Sequence, residues 1–203
     1  MKVKYEDFDI IKRPGNIMFS SPHSHRQFRN GKIKAREFKT GTLSKIVSSK
    51  TKCSCIYRTA FTQTDPNYDK DSTYKSELVD FIKNNNIKLL FDIHGMKSER
   101  TEDICIGTGF GKNVVFPDFI TITKRIFEEF GFKNVAIDVP FNASYPYTVS
   151  SYVAKKANIS CLQIEINNRF TYKKYQTFDF EKLVSCFERI VYEASCFLDN
   201  NVL

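Results

Sequence analysis

The sequence predicts an α/β fold: one central sheet with helices on both of its faces. Three observations carry this reading. Short apolar runs of strand character alternate with longer segments of helical spacing along nearly the whole chain. Gly, Pro and Asn punctuate the joins. No repeat, low-complexity tract or linker breaks the alternation. The 203 residues fit a single domain, 1–203, with one sizeable core.

Taken in order, "NIMFSSPH" (16–23) is an apolar run ending in Pro, a strand leading into a loop. "REFKTGTLSKIVSSK" (36–50) sets Phe38, Leu43, Ile46 and Val47 at helical spacing, with Thr40 or Thr42 as cap. "CSCIYRTA" (53–60) is a strand. "DSTYKSELVDFIKNNN" (71–86) opens on a capping pattern, Ser72 or Thr73 with Glu77 close behind, and its Asn run ends the helix. "IKLLFDIHG" (87–95) is a buried strand, and "DICIGTGFG" (103–111) a short strand entering a glycine-rich loop. "FPDFITITKRIFEEFGF" (116–132) is a helix closed by Gly131. "KNVAIDVPFN" (133–142) reads as a strand stopped by Pro140, "VSSYVAKKAN" (149–158) as a short helix, and "ISCLQIEINNRF" (159–170) as a strand. The last segment, 178–200, is a long amphipathic helix whose stripe of Leu183, Phe187, Ile190, Val191, Ala194 and Phe197 is core packing.

Hydrophobic residues at 41% and charged residues at 27% describe a globular chain. No apolar run reaches the roughly 18 residues of a membrane span. The N-terminal stretch "MKVKYEDFDIIKRPG" lacks the apolar core and cleavage site of a signal peptide, so a cytoplasmic location is expected. In that compartment the six cysteines are free thiols. "CSC" (53–55) is too closely spaced for the usual zinc-binding pair, and Cys161 reads as a small buried residue. The net charge is +8, but the lysines are scattered and form no dense basic block. A merely solvated basic surface is the leading reading, an acidic substrate drawn by the field the next, and nucleic-acid binding is not favoured.

The chain has only three histidines, and all lie in two short junctions: His23 and His25 in "SPHSH", His94 in "FDIHG". In open α/β sheets, ligands bind beyond the carboxyl ends of strands. His23, His94 and Glu165 all fall at or near such ends. A catalytic zinc takes three ligands from His and Asp/Glu and keeps one position open. His23 and His94 supply two nitrogens. Glu37, the only acid between His23 and the end of the following helix, is the candidate third. The alternative for Glu37 is a charge complementing a helix N-terminus.

Glu165 shares a strand face with Gln163 and Asn167, and a carboxylate there is costly unless it is used. It is the candidate general base; the alternative is a buried ion pair with an arginine such as Arg169. Asp92 faces the same side as His94 and is placed to orient it by accepting a ring N–H. His25 is expected to support the loop or to touch substrate rather than to bind the metal.

"SPHS", "FDIHG", "ICIGTGFG" and "LQIEINNRF", in this order, resemble the N-formylglutamate amidohydrolase family, and "REFKTGTLSKIV" resembles a segment of poly-γ-glutamate hydrolases. The likeness spans roughly residues 16–175. It implies a carboxypeptidase-like three-layer α/β/α architecture with a mostly parallel or mixed sheet, and one Zn2+ ion. It assigns His23, Glu37 and His94 to the metal and Glu165 to the base. The implied reaction is hydrolysis of an amide in an N-acyl or γ-linked acidic amino acid or small peptide, the glutamate activating water at the metal. The chain departs from the family on the substrate side: His25 replaces a glycine, Tyr68 stands where arginine is common, and "FNASYPYTVSS" lacks a double glycine. A substrate carboxylate calls for a guanidinium clamp, for which Arg100, Arg58 and Arg26 are candidates. Asn142, Tyr145 and Tyr147 are candidate pocket residues. The competing class is a non-enzymatic basic module that binds nucleic acid or another polyanion.

Overall fold

A computed structural model describes residues 1–172 and 177–201. Eight strands build one mixed sheet: β1 (Lys2–Lys4), β2 (Phe8–Ile11), β3 (Ile17–Ser21), β6 (Ser54–Arg58), β7 (Leu89–Met96), β8 (Ile104–Gly107), β9 (Val135–Ile137) and β10 (Ser160–Asn167). Their order across the sheet is β1-β2-β6-β3-β7-β10-β8-β9. The middle four, β6, β3, β7 and β10, run parallel. Strands buried on both faces favour near-continuous apolar sequence; β7 opens so, on Leu89–Phe91, whereas β10 alternates, with Gln163, Glu165 and Asn167 on one face.

Side-chain alternation divides the core in two. Ile17, Phe19, Leu89, Phe91, Ile93, Leu162, Ile164 and Ile166 face one way. They pack on α1 (Thr40–Thr51), α3 (Asp118–Glu129) and α5 (Thr177–Asn201), whose Leu183, Phe187 and Ile190 are fully buried. Met18, Ile56, Leu90 and Cys161 face the other way, onto α2 (Thr73–Asn84) and α4 (Val149–Ala157). The layers are α/β/α. Ser72 caps α2 by accepting from the Lys75 N–H at 3.3 Å, and Gly131 ends α3 at a φ of 81°. All six cysteines are free, and only Cys196 is exposed. Among the described residues, no helix is long and apolar enough to cross a membrane.

Several elements differ from the sequence reading. The hairpin β1–β2 and a second hairpin, β4 (Gln27–Arg29) with β5 (Lys32–Lys34), are additions. Their strands are only three or four residues long, and β1 and β5 are mostly lysine, so no apolar period announces them. Helix α1 starts at Thr40, and neither Thr40 nor Thr42 caps it: Lys39 precedes it at a φ of 63°, and the Thr40 hydroxyl donates to the Glu37 carbonyl at 2.9 Å. The strand expected over 133–142 shortens to β9. Asp138 leaves the strand at a φ of 58°, its carboxylate accepting from the Thr108 N–H and hydroxyl, each at 2.6 Å. The chain after Asn167 turns into a single 3-10 turn, Asn168–Phe170.

Candidate metal centre

His23 lies two residues beyond β3, on a turn pinned by Ser24. The Ser24 hydroxyl contacts the carbonyls of Ser21 at 3.0 Å and Arg58 at 2.9 Å. Gly41 admits Ser24, since a Cβ there would stand 2.7 Å from the Ser24 Cβ. The Glu37 N–H donates to the His23 carbonyl at 2.9 Å, which ties the two ends of the intervening loop together. His94 comes from the end of β7. The next residue, Gly95, donates its N–H to Glu37 Oε2 at 3.0 Å, and a side chain there would crowd the Glu37 Cβ at 3.3 Å.

The three side chains converge. Glu37 Oε1 lies 2.7 Å from His23 Nδ1, and Oε2 lies 3.1 Å from His94 Nδ1. The imidazoles stand edge to face, 4.8 Å between centroids. One donor atom from each of His23, Glu37 and His94 falls within 4.8 Å of the others. The outer nitrogens are each met by a buried carboxylate: His23 Nε2 by Asp65 at 2.8 Å and His94 Nε2 by Asp92 at 3.2 Å. A carboxylate only accepts, so without a metal both nitrogens of each ring face acceptors, and with a cation at the Nδ1 side each ring would keep its proton on Nε2, toward Asp65 or Asp92. That directs both Nδ1 atoms, as lone pairs when neutral, at the same point as the Glu37 carboxylate. Two imidazoles, one carboxylate and an outer carboxylate behind each ring suit a divalent cation.

The electrostatics agree with that fit. Burial opposes a charge on His23, but Glu37 and Asp65 outweigh it and push the imidazole up to about 9. His94 is likewise raised by Glu37 and Asp92 against its burial. Despite burial, the two imidazoles hold the Glu37 carboxyl well below the usual range. In the metal-free protein, protons fill the role of a cation between these groups.

Glu165 stands opposite His94 on β10. Its Oε1 accepts from Gln163 Nε2 at 3.0 Å. Burial pushes its carboxyl up to about 7, with His94 and His23 pulling against Glu37 and Asp92. Arg169 is not its partner; that guanidinium pairs with Asp103.

The centre opens into a cleft of about 550 Å3 that Glu165 also lines. Arg100, Asn142, Tyr145 and Tyr147 line it too. The Arg100 guanidinium lies 4.7 Å over the Phe141 ring, and Tyr145 stacks on Tyr147 at 5.4 Å. Arg58 does not reach the cleft. It is buried, paired with Asp7, and lies 5.2 Å over the Tyr74 ring beside a separate hollow of about 1000 Å3. Arg26 is exposed and outside the cleft wall. His25 is half-buried and also outside it, its Nδ1 without a hydrogen-bond partner among the described residues.

The sequence reading omits Asp65, Asn67, Arg29 and Lys97 from the site. Asp65 holds His23 and is itself held by Arg29 Nε at 2.5 Å. Asn67, Arg29 and Lys97 line the cleft. Asp65, Asn67 and Lys97 sit in loops with no period to read and Arg29 on a strand of three residues, although "DPNYD" stands out as a polar cluster between a strand and a helix. Behind the cleft, the fully buried Lys75 donates from Nζ to the carbonyls of Asp69 at 2.6 Å, Lys70 at 3.0 Å and Tyr147 at 2.8 Å.

By fold, the chain is a carboxypeptidase-like α/β/α protein. Its structure resembles N-formylglutamate amidohydrolase from Ralstonia eutropha JMP134, with a TM-score of 0.75 at 14% identity over 98% of this chain and 100% of that one. A bacteriophage poly-γ-glutamate hydrolase aligns with a TM-score of 0.65 at 15% identity, covering 94% of this chain and 91% of the other. A metallo-carboxypeptidase from Burkholderia cenocepacia aligns with a TM-score of 0.53 at 10% identity, over 95% of this chain and 61% of that one. No family model matches the sequence, and no curated protein matches it.

Proposed function

We propose that the protein is a metal-dependent amide hydrolase acting on an N-acyl or γ-linked acidic amino acid or a small acidic peptide. The observation that carries this is the convergence of His23 Nδ1, His94 Nδ1 and the Glu37 carboxylate at the floor of a cleft that Glu165 also lines. His23, Glu37 and His94 would hold one divalent ion, with zinc favoured by the imidazole–carboxylate set. Bound there, the ion supplies Lewis acidity toward an amide carbonyl. Asp65 and Asp92 keep the imidazoles turned toward it.

Glu165 serves as the general base. Its Oε1 is steadied by Gln163, and its carboxyl, raised to about 7, takes a proton near neutral pH and returns it to the leaving amine. Arg100 and Lys97, which line the same cleft, offer the positive charge for a substrate carboxylate. The names of similar structures support the reading: an amidohydrolase and a poly-γ-glutamate hydrolase.

The test is metal content and turnover on the purified protein. Stoichiometric zinc uptake with metal-dependent hydrolysis of N-formylglutamate or a γ-glutamyl dipeptide is expected. No metal uptake, together with strongly salt-dependent DNA binding, would replace the enzyme with a basic binding module.

A further inference from the structure

Gln163 precedes Glu165 by two positions on β10, and period-two alternation puts both side chains on the same face. It is 4% exposed and lines the cleft. Its Nε2 donates to Glu165 Oε1 at 3.0 Å. That bond fixes which end of the carboxamide faces where. A base must be ionised to act, and an ionised carboxylate only accepts, so the amide nitrogen faces Glu165 and the amide oxygen is turned away from it. That oxygen, Oε1, is buried and has no hydrogen-bond partner. Among the described residues that line the cleft, it is the one buried polar side-chain atom without a partner.

The neighbouring wall does not supply a donor. On β8 the residue opposite Gln163 is Gly107. Opposed residues of an antiparallel pair share a face. A Cβ at Gly107 would stand 2.9 Å from the Phe141 carbonyl oxygen and 3.1 Å from the Ala143 Cβ. The absent side chain therefore lets the cleft wall 141–143 close over β8 at the level of Gln163. The wall atoms nearest that point are a carbonyl oxygen and a methyl group, and neither donates. A buried carbonyl oxygen without a partner is costly, so Oε1 calls for a donor that arrives through the cleft.

An ionised N-acyl acidic amino acid carries carboxylates and a carbonyl, all of them acceptors. Its one donor is the scissile N–H. We propose that Gln163 Oε1 accepts that N–H, which makes Gln163 the residue that selects amides over esters. This rests on the amide-hydrolase reading and adds to it a recognition element for the bond that is cut. Gln163 and Glu165 touch, so a nitrogen held by one lies within reach of a proton from the other. The proton that Glu165 takes from water passes to this nitrogen, the C–N bond breaks, and a carboxylic acid and an amine leave. Gln163 itself is unchanged. An ester puts an oxygen where the N–H would be and leaves Oε1 unmet.

The test uses zinc-loaded protein and two substrate pairs: N-formylglutamate and γ-glutamylglutamate, each beside the ester in which oxygen replaces the scissile N–H. The quantity read is the ratio of kcat/KM for amide over ester, corrected for spontaneous hydrolysis. That ratio cancels any loss of folded or metal-loaded protein in a variant. Gln163→Met keeps the length and removes both donor and acceptor, and the ratio should fall about tenfold or more. Ester turnover falls as well, because Glu165 loses its support, and that part cancels in the ratio. Gln163→Glu keeps an acceptor and should hold the ratio near that of the unaltered protein while slowing both reactions. Equal slowing of amide and ester by Gln163→Met overturns the proposal; it leaves Gln163 as a support for Glu165 alone and the hydrolase reading intact. A ratio that falls as far in Gln163→Glu as in Gln163→Met overturns it too. Hydrolysis of none of the four compounds by the unaltered protein retires the hydrolase reading itself, and the proposal with it.

Discussion

Glu165 and His94 stand directly opposite one another, in register across the parallel strands β10 and β7. The pairing puts a carboxylate with a raised pKa beside an imidazole of the candidate centre without a hydrogen bond between them. Glu165→Gln should therefore keep the metal and lose turnover by about 100-fold or more, the usual scale for removing a general base. Metal analysis alongside hydrolysis of N-acyl acidic amino acids checks both halves. Undiminished turnover would put the base elsewhere, and lost metal would make Glu165 a ligand.

Glu37 bridges both imidazoles and accepts from Gly95. Glu37→Gln replaces one of those oxygens with a donor that faces a nitrogen or an N–H. Zinc affinity should fall steeply, measured by competition with a chelator. A mere helix-end charge would instead cost about 0.3–1 kcal/mol in a denaturant melt and leave affinity alone.

The segment that carries Glu37 shows how much the sequence discloses. Its chemistry is legible, because it holds the only acid between His23 and the end of α1. Its geometry is not: the acid sits ahead of the helix because its carboxylate is pulled to two histidines, and the helix starts only after Lys39 turns at positive φ. His94 and Glu165 are legible for a simpler reason, since period-two alternation fixes their face. Asp65 escapes because it sits in a loop, where neighbours in space are not neighbours in any pattern. Arg58 misleads as a substrate clamp because its partner, Asp7, precedes a strand, β2, that the charged N-terminus conceals.

Asp65 gives the third prediction. Asp65→Asn leaves an oxygen for His23 Nε2 but removes the charge that fixes the ring and the partner of Arg29. Metal affinity should drop about 10–100-fold, the range for outer carboxylates behind metal-bound histidines. The same chelator competition reads it, and an unchanged affinity would mean that the Nδ1 orientation is held by other contacts.

Protons and metal compete for the same nitrogens, which gives a pH signature. In the metal-free fold His23 is raised from 6.5 to about 9 by Glu37 and Asp65, against its burial. Between those values the folded state keeps a proton that the unfolded chain has released, so stability falls as pH rises through the window. His94 acts in the same direction. Chelator-treated protein should lose denaturant resistance from about pH 6.5 to 9, while zinc-loaded protein should not. Parallel profiles for the two forms would show that the imidazoles are not where the metal goes.

Lys75 puts a positive charge permanently among three backbone oxygens, two from the segment after Asn67 and one from Tyr147. Three carbonyls around one centre are what a dehydrated potassium or sodium ion would ask for. Here the ion is built into the chain and cannot diffuse away. The two walls it joins cannot part without stranding a buried ammonium, so they behave as a single jaw.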